Sequence, residues 1–291
     1  MSLSRTVTIL FFAALIQGCA LSGKEFTYNP EHSEALNVMN AAGMSASLAD
    51  RSMPKDTVNG DIRDSSAFSV AHVTASYNAP LPGFTGLEMA GLGITQVFFA
   101  PTPATAKNSM FAWMPESVAK NDPVQTLIGL LKNAALLVAA EMGYESFTRD
   151  IDIQMPFFIP DMGEGFYVSM HQENESGCHS EKNVCLFIMR VNNQTSLAKP
   201  PAFLAQNEQS YFFDPNTSYP TYSFTKGYTG INELEFITRL TSHMPSWFYM
   251  YVAPKKIKIT SDDLVMVPLI VNQGKALHFI TPETLLKIGS N

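Results

Sequence analysis

The chain has 291 residues, of which 46% are hydrophobic and only 15% are charged, and its formal net charge is −7 at pH 7. A chain of this length and hydrophobicity is ample for the core of one large or two modest domains, which excludes disorder throughout. The acidic balance, without a basic cluster, excludes nucleic acid as a partner, because neutralising phosphates requires concentrated Lys and Arg.

The first residues have the organisation of a signal peptide. A single basic residue, Arg5, precedes an uncharged apolar run over residues 7–16 that ends in small residues. The run is about half the roughly 20 residues that a membrane-spanning helix requires. We therefore interpret residues 1–18 as a cleaved signal peptide and not as a permanent transmembrane helix.

The end of this segment resembles the lipobox of bacterial lipoproteins, and the stretch that carries the resemblance is Leu15-Ile16-Gln17-Gly18-Cys19. In a lipobox, a branched aliphatic residue stands three positions before the cysteine and a small residue stands directly before it. Ile16 and Gly18 match those two positions. The resemblance implies that Cys19 becomes the first mature residue and carries acyl chains such as palmitate on its sulfur and its amine.

The same resemblance implies a location. Several acyl chains, each methylene contributing about 0.8 kcal/mol on burial, would attach the chain to the membrane permanently. Ala20, in place of an aspartate after the cysteine, implies sorting to the outer membrane, and residues 19–30 are expected to form a lipidated tether. The folded part would then lie in the periplasm or at the cell surface. The alternative is an ordinary cleaved signal peptide in which Cys19 is incidental.

The remaining cysteines form a candidate disulfide. The chain has three cysteines, and if Cys19 is lipidated only Cys178 and Cys185 are left. An exported chain meets an oxidising compartment, so these two are expected to be bonded to each other. A metal site is the alternative, since His171 and His179 lie nearby in the sequence, but the spacing matches none of the usual zinc patterns. No metal or cofactor is predicted.

Residues 31–117 are predicted to form an N-terminal portion that is helical at first and then apolar and loop-rich. Leu36 and Met39 belong to a helical stripe near its start. Residues 79–117 are rich in Pro, Gly and Ala and contain only three charged residues. This stretch is interpreted as a buried strand or irregular loop held under the main helix. The alternative is an exposed apolar patch that meets a partner protein or the membrane surface.

The clearest predicted element is a helix over residues 122–143, at the start of a main domain comprising residues 118–291. Asp122 is a good N-cap, Pro123 suits the first helical position, and Gly143 suits a left-handed stop. Apolar residues recur between them at helical spacing. The second half is apolar all round, which predicts a central core helix that is buried on both sides and is not a membrane span.

The chain after this helix is predicted to be mainly β. Residues 166–171 and 185–191 each show the two-residue alternation of a strand, which predicts a hairpin whose tip is tied to its second strand by Cys178 and Cys185. Further predicted elements are a helix over residues 231–243 and strands over 246–252, 264–271 and 276–280. The predicted fold class is therefore α+β, with the central helix packed on a mainly antiparallel sheet.

One predicted strand carries a row of aromatic residues on a single face. Trp247, Tyr249 and Tyr251 alternate with apolar residues. Such a row could stack on sugar rings or dock a partner protein, because Trp and Tyr combine apolar area with a polar tip. The alternative is that a helix of the same chain covers this face.

Recognisable catalytic motifs are absent from the sequence. It contains no G-x-S-x-G, no H-E-x-x-H and no phosphate-binding glycine loop. Asp150 and Asp152 would lie about 6.6 Å apart on one strand face, within the range of paired glycosidase carboxylates, but two acids on a polar strand face are usually only solvated. No catalytic residue is predicted.

The leading hypothesis is a non-enzymatic lipoprotein of the outer membrane that acts as a docking or assembly component of an envelope or secretion complex. Its expected partners are the membrane, through the N-terminal lipid, and other envelope proteins. A cell-envelope hydrolase acting on peptidoglycan or another glycan is one alternative. A glycan-binding module that uses the row Trp247, Tyr249 and Tyr251 is the other.

Overall fold

The computed structural model describes residues 26–44, 48–53, 104–151, 164–172, 178, 185–216, 221–224, 231–259, 262–266 and 268–282. The predicted signal peptide, Cys19 and residues 79–103 of the apolar stretch lie outside these ranges. The predictions for those residues therefore remain predictions.

Polar caps fix the starts of the three longer helices in the described ranges. The Ser33 hydroxyl, the Asp122 carboxylate and the Asn232 side-chain oxygen each accept a hydrogen bond from a backbone N–H three residues on, which satisfies a donor that a helix start otherwise leaves without a partner. The helices are α1 (Glu34–Ala41), the single-turn α2 (Glu116–Ala119), α3 (Pro123–Glu141) and α4 (Glu233–Ser242). Two 3₁₀ turns are also present, at Ala104–Ala106 and Ala202–Leu204.

The strands before α4 are β1 (Arg51–Met53), β2 (Ser109–Pro115), β3 (Glu145–Asp150), β4 (Glu164–His171), β5 (Cys185–Val191), β6 (Thr195–Ala198), β7 (Ser210–Phe213) and β8 (Tyr222–Phe224). The strands after α4 are β9 (Phe248–Val252), β10 (Lys255–Ile259), β11 (Asp262–Met266), β12 (Leu269–Asn272), β13 (Lys275–His278) and β14 (Ile280–Pro282).

Most of these strands belong to two antiparallel sheets. The larger sheet has six strands in the order β13-β12-β9-β2-β7-β6, and the smaller has four in the order β3-β4-β5-β8. In addition, β10 pairs with β11 antiparallel and β1 pairs with β14 parallel. Helices that pack on two antiparallel sheets confirm the predicted α+β fold class.

The two sheets and two helices share one core. Alternate residues of β4 and β5 face α3, including Val168 and Phe187, while Met250 of β9 faces the same cluster from the larger sheet. From α4, Phe236 packs its ring 5.0 Å from that of Phe187. The side of each sheet that lines this shared core is called its inner face, and the other side is its outer face.

The outer face of the larger sheet carries a second core. Phe111, Tyr249 and Ile270 pack there against apolar residues of α1, and each of these side chains is buried. The alternation of these strands therefore separates two buried surfaces. The central strands β2 and β9 of the six-stranded sheet are therefore buried on both faces.

Hydrogen bonds join the two sheets at one point. The Tyr222 hydroxyl on β8 donates to the Tyr251 carbonyl oxygen on β9 at 2.9 Å. Next to it, the backbone N–H of Thr221 donates to the Asn108 carbonyl oxygen, and the Thr221 hydroxyl accepts from the backbone N–H of Met110. Burial, together with the nearby Glu233 carboxylate, raises the pKa of the Tyr222 phenol well above its usual value, so the phenol remains a donor.

Helix α3 confirms the predicted boundaries and corrects the predicted burial. Asp122 caps it, and Gly143 follows it with φ of +80°. The side that includes Leu127 and Leu131 is fully buried, but Leu137 is 53% exposed and Ala140 is also exposed. The length and hydropathy of α3 would be sufficient for a helix to cross a membrane. The core helices of folded domains can have the same length and hydropathy. The second half of α3 is therefore covered on one side only.

Strand β2 corrects the predicted division of the chain at residues 117 and 118. All of Ser109–Pro115 is buried, and the strand pairs with β7 on one side and β9 on the other. Because β2 lies in the middle of the larger sheet, the described part of residues 31–117 belongs to the same folded body as the described part of residues 118–291. For residues 109–115 the interpretation as a buried strand is confirmed.

Other boundaries differ from the predictions as well. Two strands, β6 and β7, lie in a region for which no element is predicted from the sequence. The predicted strand 264–271 is divided between β11 and β12, which belong to different sheets. The hairpin of β12 and β13 is confirmed, and its turn uses Gln273 and Gly274, both with positive φ, as a tight two-residue turn requires.

The N-terminal end of the described chain is fixed against the body. The buried side-chain amide of Asn37 donates to the Asn29 carbonyl oxygen at 2.8 Å, and its carbonyl oxygen accepts from the Asn29 backbone N–H at 2.9 Å. The ring of Phe26 packs edge-on against Phe203, with centroids 6.1 Å apart. The chain is therefore in contact with the folded part from Phe26 onward.

Candidate interaction surface

The predicted aromatic interaction surface is wrong, because all three of its residues are buried. Tyr249 and Tyr251 lie on the outer face of the larger sheet under α1, with Tyr249 stacked on Phe111 at 5.4 Å between centroids. Tyr251 donates its hydroxyl to the Thr105 carbonyl oxygen at 2.8 Å. Trp247 precedes β9 in a turn and packs into the shared core instead. The alternative, a helix of the same chain covering this face, is what the structure has.

Burial also changes the chemistry of these tyrosines. Removal from water raises the pKa of both the Tyr249 and the Tyr251 hydroxyls well above their ordinary value, because the charged phenolate is disfavoured in an apolar environment. Neither hydroxyl is placed to contact a ligand from solution. The glycan-binding alternative loses the residues on which it depended.

The predicted disulfide is confirmed. Cys178 and Cys185 are bonded, with their Cα atoms 5.3 Å apart, and both are buried in the shared core. The backbone N–H of Gln172 donates to the Cys178 carbonyl oxygen at 3.2 Å, which connects the end of β4 to the same loop. The bond therefore closes the β4–β5 hairpin at its tip, as expected. His179 lies outside the described residues.

Among the described elements, no helix covers the outer face of the four-stranded sheet. Within the described ranges, the two helices that contact this sheet, α3 and α4, lie on its inner side. The cross-strand register defines the side chains of the outer face. They are Glu145, Phe147 and Arg149 of β3, Tyr167, Ser169 and His171 of β4, Leu186, Ile188 and Arg190 of β5, and Ser223 of β8.

An apolar band runs across this face. Tyr167 stands directly opposite Ile188, and Leu186 stands opposite Ser169, so apolar side chains of β4 and β5 adjoin. Tyr167, Leu186 and Ile188 are each half-buried, unlike the fully buried residues of the inner face. A sheet face with apolar side chains in partial contact with water resembles the surfaces that proteins use for association.

Phe147 and Arg149 are exposed neighbours on this face. Phe147 is 45% exposed, and the guanidinium carbon of Arg149 lies 5.4 Å from the centroid of its ring. Among the ion pairs of the described residues, none includes Arg149. Aromatic residues and arginine are the types enriched at the energetic centres of protein interfaces.

The described residues of this face include more basic than acidic side chains. Arg149 and Arg190 lie on it, and Glu145 lies at its margin, where it contacts His171 at 2.8 Å. The whole chain has a formal charge of −7. Among the described residues, the outer face therefore combines apolar side chains with two arginines on an acidic protein.

The backbone beneath this face requires a glycine at one point. A Cβ on Gly165 would overlap the Met189 carbonyl oxygen and lie 3.0 Å from the Ile151 side chain. The Ile151 backbone N–H donates to the Gly165 carbonyl oxygen at 2.9 Å, which extends the β3–β4 ladder by one residue. Gly165 thus lets neighbouring strands approach closely.

No catalytic arrangement emerges among the described residues. Asp150 is on the inner side of β3 and forms an ion pair with Lys132 of α3, so it is engaged in fixing the helix to the sheet. Its proposed partner, Asp152, lies outside the described residues. Within the described ranges, no three or more His, Cys, Asp or Glu side chains are grouped so that they could hold a metal ion.

The sequence contains a signal for this surface that alternation alone does not bring out. Alternation predicts Phe166, Val168 and Met170 as core residues. It predicts only that the intervening residues face solvent. Two of those intervening positions on the hairpin are Tyr167 and Ile188, which are too apolar for a fully solvated face. Apolar residues on both sides of an alternating strand indicate two contact surfaces.

Comparison with known proteins identifies no relative. No protein-family model, no curated protein and no solved structure matches this chain.

Proposed function

We propose that this chain is a lipid-anchored protein of the bacterial outer membrane that docks another envelope protein and has no enzymatic role. In this proposal, Cys19 carries the anchor, and the folded part lies in the periplasm or at the cell surface. The observation that carries the docking role is the outer face of the four-stranded sheet, with its apolar band and its exposed Phe147 and Arg149.

The character of the face defines the partner. A surface with an apolar band of half-buried side chains and an arginine at its margin is complementary to a protein that presents carboxylates beside apolar side chains. An anionic surface alone would leave Tyr167, Leu186 and Ile188 in contact with water. The proposed partner is therefore an acidic protein surface with an apolar centre, held in the same envelope compartment.

The anchor is tested by the intact mass of the chain extracted from membranes. The expected mass corresponds to a chain that begins at Cys19 and carries added acyl chains. A Cys19→Ser variant should leave the membrane fraction and appear in the soluble fraction. A mature chain that begins after Cys19 and carries no acyl mass would refute the anchor.

The docking role is tested by photo-crosslinking in intact cells. A photoreactive residue at Ile188 should give one discrete adduct, whose protein partner is identified by mass spectrometry and purified. Ile188→Asp should weaken binding of that purified partner by about tenfold or more, because it places a desolvated carboxylate in the apolar band. The matched control is Leu137→Asp on α3, which is exposed but off this face.

Equal affinities of the two variants would refute the assignment of this face. Lipid alone crosslinked to Ile188 would refute a protein partner.

A further inference from the structure

Strand β3 has a free edge with its own pattern of charges. It is the first strand of the four-stranded sheet and pairs only with β4 among the described strands. Glu145 and Asp150, at its two ends, have side chains that are 73% and 76% exposed. Phe147 in its middle is 45% exposed. The edge of the sheet is therefore accessible along its whole length.

The hydrogen-bonding register fixes which backbone groups this edge presents. Ile151 bonds to Gly165 across the β3–β4 ladder, and in an antiparallel pair the hydrogen-bonded positions alternate. Positions 145, 147 and 149 therefore direct their backbone groups to β4. Ser146, Thr148 and Asp150 direct their N–H and C=O groups outward, where none of the described strands pairs with them.

The sequence of β3 is complementary to itself in the antiparallel direction. Glu145 and Arg149 are equidistant from Phe147 and lie with it on the outer face. If two β3 strands met around a two-fold axis through Phe147, each Glu145 would stand opposite Arg149 of the second copy, and the two Phe147 rings would meet at the axis. Ser146 would then stand opposite Thr148, and both positions direct their backbone groups away from β4 on each copy.

We infer that β3 pairs with β3 of a second copy of this chain, which joins two four-stranded sheets into one eight-stranded sheet. The pairing would form about four backbone hydrogen bonds and two Glu–Arg cross-strand pairs. The same register gives hydrogen-bond partners to the outward backbone groups and places each Glu145 opposite an Arg149. The homodimer does not depend on the proposed docking function, but it would join two outer faces into one continuous surface centred on Phe147.

The charge pattern of β3 distinguishes it from β6, another edge strand among those described. Strand β6 ends the larger sheet, and its Leu197 is 49% exposed, close to the value for Phe147. Its residues, Thr195–Ala198, carry no charge and so specify no register or partner. Long-lived pairing at a sheet edge needs such specification, because uncharged edges pair without selectivity.

Charge reversal tests the pairing in the full-length chain, purified in detergent. Glu145→Arg and Arg149→Glu should each weaken the dimer about tenfold or more in sedimentation equilibrium, because each places like charges opposite one another twice. The double variant should restore wild-type dimerisation, since the exchanged pair is again complementary. Circular dichroism would verify that each variant is folded.

Cysteine crosslinking tests the register. At a two-fold position that is not hydrogen-bonded, the Cα atoms lie about 4.5 Å apart, within the range of a disulfide. Phe147→Cys should therefore form a covalent dimer on oxidation, whereas Leu197→Cys and the wild-type chain, which retains Cys19, should not.

Three results would overturn the inference. These are a monomeric wild-type chain at all concentrations, a double charge-reversal variant that stays monomeric, and crosslinking through Thr148→Cys in preference to Phe147→Cys.

Discussion

The two sheets of this protein share a core but differ in what lies on their outer faces. The six-stranded sheet is covered on its outer side by α1, so that Phe111 and Tyr249 are buried. The four-stranded sheet has no described helix on its outer side, and Phe147 is 45% exposed. A row of aromatic residues on one strand therefore indicates an interaction surface only where no other element of the chain covers it.

The largest expected effect contrasts the same side chain on the two sheets. Phe111→Ala should lower the free energy of unfolding by about 3–5 kcal/mol, because it leaves a cavity between the larger sheet and α1. Phe147→Ala should change it by about 0.5 kcal/mol or less, since the ring is half in water. Urea denaturation of both variants at a concentration where the chain is monomeric gives the comparison. Similar losses would show that the outer face of the smaller sheet is also covered.

The free energy of unfolding is expected to depend on pH through a histidine on an edge strand of the six-stranded sheet. His278 of β13 is buried, and this burial lowers its pKa to about 4 from the ordinary 6.5. The unfolded chain therefore binds the proton more tightly, and the stability present above about pH 6.5 is lost as the pH falls toward 4. The full loss would be about 3 kcal/mol.

This effect is measured as the difference in unfolding free energy between the wild type and His278→Gln from pH 7.5 to 4. The paired histidines His171 and His243 are present in both proteins and cancel in the difference. The advantage of the wild type should shrink over this interval. A difference that does not vary with pH would contradict the prediction.

The smallest effect is expected where the sheets meet. Tyr222→Phe removes the hydroxyl that donates to the Tyr251 carbonyl oxygen and should cost about 1 kcal/mol in unfolding free energy. Hydrogen exchange should then increase at the backbone amides of β8 and β9 together. Faster exchange at β8 alone would show that the bond does not couple the two sheets.

The sequence predicted helices and strands well where local signals mark them, such as a helix cap, a helix stop or a regular alternation. The cap Asp122, the stop Gly143 and the alternation of Cys185 through Val191 gave helix α3 and strand β5 close to their observed bounds. The disulfide followed from the count of cysteines and from the prediction that the chain is exported. The helix and strand predictions depend on contacts between residues that are near in sequence. The disulfide prediction depends on there being a single possible pair of cysteines.

The covering of the sheet faces could not be predicted in the same way. Helix α1 lies more than 200 residues before Tyr249 in the sequence, and its apolar stripe does not specify which sheet it covers. Strand β2 was obscured because uninterrupted burial of Ser109–Pro115 removes the alternation that marks a strand. Long-range pairing decided both outcomes.

The fixed N-terminal end of the described chain sets a limit on the length of the proposed membrane tether. The chain is seated against the body from Phe26, through its ring contact with Phe203 and the hydrogen bonds between Asn29 and Asn37. If Cys19 carries the proposed anchor, seven residue steps separate lipid from body, and they can reach about 25 Å at most. The folded part would then stay within this distance of the membrane and could not span a wide compartment. Its partner would have to lie at or near the same membrane surface.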